Sequence, residues 1–203
     1  MLKKLIGLSI AATVLVTGAG EAVASSSASL PKGFLLYEAK AAAPAKSWEE
    51  WKVSNQLSRR LEINPCQRNP GAKNRVAART ITYLVDVDHL SEQVVIYRSK
   101  TAARRAFNDV RADLKRCATG GTKPYTFAYR WKKTEIGDEA LRIGGFGFEG
   151  RFRYVIVRKG KALAIYVKDG NVTKSLKLSH FSSVLMDART MTGKLCSLPG
   201  VCS

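Results

Sequence analysis

The hydrophobic period of this chain switches from two to 3.6 and back, which restricts it to strands and helices alternating in one domain. Ile81, Tyr83, Val85 and Val87 alternate with Thr80, Thr82, Leu84 and Asp86, and Asp88 to Ser91 then turns the chain into the Val- and Ile-rich run Glu92 to Arg98, predicting a hairpin. Lys100 to Cys117 follows as an amphipathic helix, with Ala103, Ala106, Phe107, Val110, Leu114 and Cys117 on one stripe and Arg104, Arg111, Asp113 and Lys115 away from it. Gly120-Gly121 ends it. Strands are then predicted over Tyr125 to Thr134, Glu139 to Phe148, Phe152 to Arg158 and Ala162 to Lys168, the last two joined at Lys159-Gly160-Lys161. Phe181, Val184, Leu185, Ala188, Met191 and Leu195 restore the helical period. Upstream, Ser47 with Glu50 reads as a capping box, and Trp48, Trp51, Leu57 and Leu61 predict a first helix over 48–61, stopped by Asn64-Pro65. The expected fold is α+β: a two-layer sandwich in which an antiparallel sheet of about five to six strands carries helices on one face, stabilised by disulfides.

The N-terminus has the layout of an export signal. Lys3 and Lys4 precede the apolar run Leu5 to Val16, and Ala22-Val23-Ala24 offers the small residues of a cleavage site. The run is shorter than the roughly 20 residues a spanning helix needs. We expect residues 1–24 to be a signal peptide, 25–46 a flexible leader rich in Ser and Ala, and 47–203 a single domain. Removing the first segment leaves a secreted product with no integral membrane segment. In that compartment Cys66, Cys117, Cys196 and Cys202 read as two disulfides. Pro199-Gly200 can turn the chain so that Cys196 meets Cys202, and Cys66 to Cys117 follows by elimination. A zinc site is the competing use of four Cys. No Cys-x-x-Cys spacing supports it, and only His89 and His180 are available, so neither a metal nor a cofactor is expected.

The 203 residues carry 34 Lys plus Arg against 16 Asp plus Glu, a formal charge of +18. The usual nucleophile, zinc-protease, phosphate-loop and dinucleotide motifs are absent. Gly144-Gly145-Phe146-Gly147 is glycine-rich, but interleaved aromatics mark it as strand glycines at a bulge. Two acidic clusters are candidates for acid/base chemistry: Asp86 with Asp88, expected on one strand face, and Asp138 with Glu139. Their bland readings are a solvated strand end and a polar turn. Basic residues are the stronger signal. Arg130 and Lys132 share one strand face and Arg151 and Arg153 another, so if those strands neighbour one another, four cations meet in one ligand-binding patch, with Phe127, Tyr129 and Trp131 turned inward. Tyr97, Tyr154 and Tyr166 are candidate walls of a groove.

Taken together, several segments resemble the PknH-like extracellular sensor domains, found on receptor-type serine/threonine kinases and in actinobacterial secreted or lipid-anchored proteins. The residues concerned are Leu30-Pro-Lys-Gly-Phe-Leu-Leu, Asn64-Pro-Cys66, the helix ending at Cys117, Glu135-Ile-Gly-Asp-Glu-Ala140, and Arg153-Tyr-Val-Ile-Val-Arg158 beside Ala164-Ile-Tyr-Val167. The resemblance implies an antiparallel sheet flanked by helices, a disulfide on the central helix and a cleft for an extracellular ligand. This chain departs from it in lacking a kinase or transmembrane segment and in its Cys196 to Cys202 ring.

The expected function is a secreted, noncatalytic sensor-like or ligand-binding domain. Its expected partner is an anionic envelope polymer, a lipid head group or a small extracellular ligand, with attraction to the envelope through charge. A small secreted hydrolase using Asp86, Asp88, Asp138 and Glu139 is the alternative, and nucleic acid suits the charge but not the export signal.

Overall fold

The computed structural model describes residues 29–86, 88–147, 150–170 and 177–203. The expected signal peptide, the first residues of the leader, Val87 and the Asn171 turn lie outside them. The described residues form one eight-stranded antiparallel sheet, larger than the expected five to six strands. Its strands are β1 (Glu49–Ser54), β2 (Arg75–Val85), β3 (Asp88–Tyr97), β4 (Thr119–Gly120), β5 (Phe127–Lys133), β6 (Glu139–Gly147), β7 (Gly150–Lys159) and β8 (Ala162–Gly170). They lie in the order β1-β2-β3-β8-β7-β6-β5-β4. Three α-helices accompany them among the described residues: the single turn α1 (Glu38–Ala41), α2 (Lys100–Arg116) and α3 (Ser182–Leu195).

The helices cover both faces, which corrects the two-layer expectation. On one face Ala103, Ala106, Phe107, Val110 and Leu114 of α2 pack with Val95, Tyr97, Ile143, Ile156, Leu163, Ile165 and Val167. On the other, Val184, Ala188, Met191 and Leu195 of α3 pack with Val94, Ile96, Val155, Val157, Ala164 and Tyr166. The reason is visible in β3, β7 and β8, whose apolar runs Val94 to Tyr97, Val155 to Val157 and Ala162 to Val167 leave neither parity polar. Strands of that kind must be buried on both sides.

Two further expectations are corrected. Residues 49–54 form an edge strand on β2, with Trp51 opposite Tyr83 and the two rings 4.5 Å apart. The capping box does not form; Lys46 N–H donates to Glu49 instead. Nor is all of the leader loose, since Leu30, Phe34, Leu35 and Tyr37 are buried in the α3-side core. Buried Glu92 of β3 holds that segment down by accepting the Leu36 and Tyr37 backbone N–H groups at 2.9 and 2.7 Å.

Both disulfides are present, Cys66 to Cys117 and Cys196 to Cys202. The first joins the segment after Ile63 to the C-terminal end of α2. The second closes a ring that docks on the β7–β8 turn, where Lys161 N–H donates to the Val201 carbonyl at 2.8 Å.

Candidate cationic site

Strand register gathers the basic residues. Residues directly opposed in a sheet share a face, and so do residues two apart on one strand. Arg130 on β5 opposes Gly144 on β6, Gly144 opposes Arg153 on β7, and Arg153 opposes Lys168 on β8. In the next row Lys132 opposes Arg142, and in the row on the other side Phe146 opposes Arg151. The four expected cations therefore do share one face, the face on which α3 packs, and Arg142 and Lys168 join them. The parity of Arg142 and Lys168 is legible in the sequence, but membership of the cluster is decided by strand order.

The site is not a uniformly solvated patch. Arg130 and Lys132 are exposed, Arg142 and Arg151 half-buried, and Arg153 is only 8% exposed. The Arg151 guanidinium lies over the Phe146 ring, 5.1 Å from its centroid, a cation–π arrangement that fixes its direction. The Nε atoms of Arg142 and Arg151 are buried without a hydrogen-bond partner among the described residues. Gly144 leaves the centre of the cluster without a side chain, and the Phe181 ring sits there: a Cβ on Gly144 would lie 3.0 Å from Phe181 Cζ. The run 139–147 pairs with β7 without a register shift, so the glycines belong to a regular strand rather than to the expected bulge.

On the opposite face, Tyr129, Phe152 and Tyr154 form a connected aromatic series, with centroids 4.9 and 5.5 Å apart in turn. Tyr129 and Trp131 pack against the α2-side core, as expected for inward aromatics, and Tyr154, expected as a groove wall, packs there with them. Burial drives the Tyr154 hydroxyl well above its ordinary pKa, assisted by Tyr129, Asp169 and Glu62. Tyr97 and Tyr166 line no groove; both are fully buried in the cores.

The acidic candidates are not brought together. Asp86 stands in the β2–β3 turn with φ of 48°, Asp88 opens β3, and both are exposed, so they do not share a strand face as carboxylates of a paired site must. Asp138 and Glu139 lie at the other end of the sheet. The distance along β7 from Phe152, which is in register with His89 through Asp169, to Arg158 is about 20 Å. Both carboxylates are committed to buried Arg158: its Nη1 donates to Asp138 at 2.9 Å and its Nε to Glu139 at 2.7 Å. Burial pulls the Asp138 carboxyl upward, but the Gly160 N–H, Lys159 and Arg158 outweigh it and hold the carboxyl below its ordinary value.

Hollows lie elsewhere, and two stand out. One of about 610 Å3 lies beside the β5–β6 connection, lined by Phe107, Arg111 and residues 133–141. The other, about 680 Å3, lies beside the N-terminal segment, where Arg79 and Lys194 donate to the Leu30, Pro31 and Phe34 carbonyls. Among the described residues no three His, Cys, Asp or Glu side chains are arranged to hold a metal, and no helix is long and apolar enough to cross a membrane.

Fold and site together define a disulfide-bonded domain built on one antiparallel sheet, with helices on both faces and a cationic cluster at one end of it. In fold the chain is similar to the crystal structure of the extracellular domain of PknH from Mycobacterium tuberculosis, with a TM-score of 0.50 and 14% sequence identity over 79% of this chain and 90% of that one. No protein-family model matches the chain, and no curated protein matches it in sequence.

Proposed function

We propose that this chain is a noncatalytic extracellular ligand-binding domain, sensor-like in build, whose cationic sheet end holds an anionic ligand of the cell envelope or its surroundings. The observation that carries the reading is the convergence of Arg130, Lys132, Arg142, Arg151, Arg153 and Lys168 on one sheet face. The export signal, the two disulfides and the likeness in fold to an extracellular domain support the address. The hydrolase alternative loses ground because its four carboxylates sit at opposite ends of the sheet, and Asp138 and Glu139 are engaged with Arg158.

Retention on an immobilised polyanion, measured against salt, tests the proposal. Replacing Arg130, Lys132, Arg151 and Arg153 with Gln should lower the eluting salt far more than replacing the exposed Lys46, Lys73, Lys100 and Lys115. Equal losses from the two sets would show that net charge alone binds.

A further inference from the structure

We propose that the arginines around Gly144 form a site for a terminal phosphate, the dianionic phosphomonoester of a small molecule or a lipid. This rests on the reading of the sheet end as an anion-binding surface and names the anion.

The arrangement is a ring. Gly144 has Arg130 opposite it on β5 and Arg153 opposite it on β7, while Arg142 and Phe146 lie two residues away on its own strand. Arg151, opposed to Phe146, places its guanidinium over that ring, so the Phe146 side of Gly144 is also occupied by a cation. Four arginines thus surround a position with no side chain, and Lys168 stands directly behind Arg153. Opposed Cβ atoms in a sheet are about 5 Å apart and diagonal ones about 7 Å, within the span of an arginine side chain. Phe181 covers Gly144 and is itself 1% exposed, so the middle of the ring is apolar and the polar groups stand at its rim.

The protein supplies its own control. Four arginines are buried, and three of them are answered by the fold. Arg158 meets Asp138 and Glu139. Arg79 meets Glu38, Asn55 and the Leu30 and Pro31 carbonyls. Arg75 meets Asn69 and the Leu57, Arg59 and Pro70 carbonyls. Arg153 is the exception: among the described residues nothing accepts a hydrogen bond from it and no carboxylate pairs with it. The buried Nε atoms of Arg142 and Arg151 and the buried Nδ1 of His180, next to Phe181, are likewise without partners among the described residues. A buried guanidinium N–H without a partner is costly, so the Nε atoms of Arg142 and Arg151, beside an Arg153 that no described residue pairs, favour an anion held at this rim. Glu92, in the Lys132 row, is taken by Tyr166, Leu36 and Tyr37.

The number and kind of donors select the anion. A carboxylate has two oxygens and one charge, which a single guanidinium fork satisfies. Several guanidinium groups standing around one apolar centre suit a group with three terminal oxygens and close to two charges, which a phosphomonoester has near neutral pH. The Gly144-Gly145 backbone is not the cradle; side chains are.

The test uses the chain without residues 1–24 and titrates glycerol 3-phosphate, inorganic phosphate and poly-L-glutamate by calorimetry. A second arm measures binding to phosphatidylcholine vesicles carrying phosphatidic acid or, at equal charge density, phosphatidylglycerol. The expected result is that terminal phosphate binds more tightly than the carboxylate polymer compared per charge, and phosphatidic acid more tightly than the diester lipid if the source is a membrane. Preference for soluble glycerol 3-phosphate over both vesicles assigns a small molecule. Arg153→Lys keeps the charge but removes the fork, and should weaken phosphate binding about tenfold while leaving polyglutamate binding nearly unchanged. Should that buried substitution lower the thermal midpoint, Arg142→Lys and Arg151→Lys at the half-buried positions carry the same comparison. Equal affinity for phosphate and carboxylate probes, or lysine variants that bind phosphate like the parent, overturns the phosphate site and leaves the general anion reading standing. Failure to bind any of the anions overturns both.

Discussion

Glu92 accepts the Tyr37 backbone N–H at 2.7 Å from the middle of the sheet, across 55 residues of chain. Its other oxygen receives the Leu36 N–H and the Tyr166 hydroxyl, and the Tyr37 hydroxyl in turn donates to Asp187 of α3 at 2.7 Å. One carboxylate thereby fixes the N-terminal segment between the sheet and a helix. Burial pushes the Glu92 pKa above its ordinary 4.5, against the lowering effect of the bonds from Tyr166, Leu36 and Tyr37. A carboxyl whose pKa is higher in the folded state contributes stability that is complete below 4.5 and is lost as pH rises through the folded-state value. The thermal midpoint should therefore carry a downward contribution over that window, and Glu92→Gln, which cannot ionise, should remove it. An unchanged pH profile in the variant would contradict the assignment. Glu92→Ala leaves two backbone donors unanswered and should cost about 1–3 kcal/mol, with faster amide exchange at Leu36 and Tyr37.

The disulfides should differ in worth. Cys66 and Cys117 are 51 residues apart, Cys196 and Cys202 only 6. Loop-closure entropy assigns about 4 kcal/mol to the larger loop and about 2 kcal/mol to the smaller. Replacing each pair with Ser and measuring denaturation by urea should reproduce that order. A larger loss from the small ring would mean that its docking on the β7–β8 turn, through Lys161 N–H and the Val201 carbonyl, outweighs the entropy of either loop.

Local pattern made legible the elements whose apolar residues keep one period over many positions. That is why α2, α3, the β2–β3 hairpin and β5 to β8 fall close to their expected places. β1 was hidden because Trp48, Trp51, Leu57 and Leu61 happen to follow helical spacing, although Trp51 is held by a cross-strand ring contact with Tyr83 and Trp48 is 61% exposed. The docking of residues 30–37 is fixed by Glu92, far away in sequence, so their apolar residues alone do not place them. For the cationic site, parity placed Arg130 with Lys132 and Arg151 with Arg153. That these pairs face the same way, with Arg142 and Lys168, depends on β6 separating β5 from β7 and on β8 lying between β7 and β3. Such pairings join distant segments and leave no local mark.

Asp138 predicts an opposite pH response at the other end of the sheet. The Gly160 N–H, Lys159 and Arg158 overcome burial and hold its pKa below the ordinary 3.8, so the stability it contributes is present above 3.8 and is lost as pH falls through the folded-state value. Asp138→Asn should flatten the acid limb of the stability curve, measured with Glu92→Gln as background to remove the other contribution. Persistence of the full acid limb in that double variant would assign it to other carboxylates. Because Asp138 serves as an anchor for Arg158, the substitution is expected to act on stability.

Adjacent glycines of β6 should separate folding from binding. Gly145 faces the α2 side, where a Cβ would lie 1.9 Å from Phe152 Cε2 and 2.5 Å from the Ala128 carbonyl oxygen. The second contact is backbone of the paired strand and cannot turn away. Gly145→Ala should therefore destabilise by about 1–3 kcal/mol or more. Gly144 faces the cationic side, where the tightest contact is the edge of the Phe181 ring at 3.0 Å, which a few tenths of an ångström of movement relieves. Gly144→Ala should melt close to the parent, within about 1 kcal/mol, yet displace Phe181 among Arg130, Arg142 and Arg153 and weaken anion binding measurably. Matched melting curves and anion titrations on the two variants check this. If Gly145→Ala is as stable as the parent, the close packing of Phe152 against β6 is wrong. If Gly144→Ala binds anions unchanged, the ring around Gly144 is not where they sit.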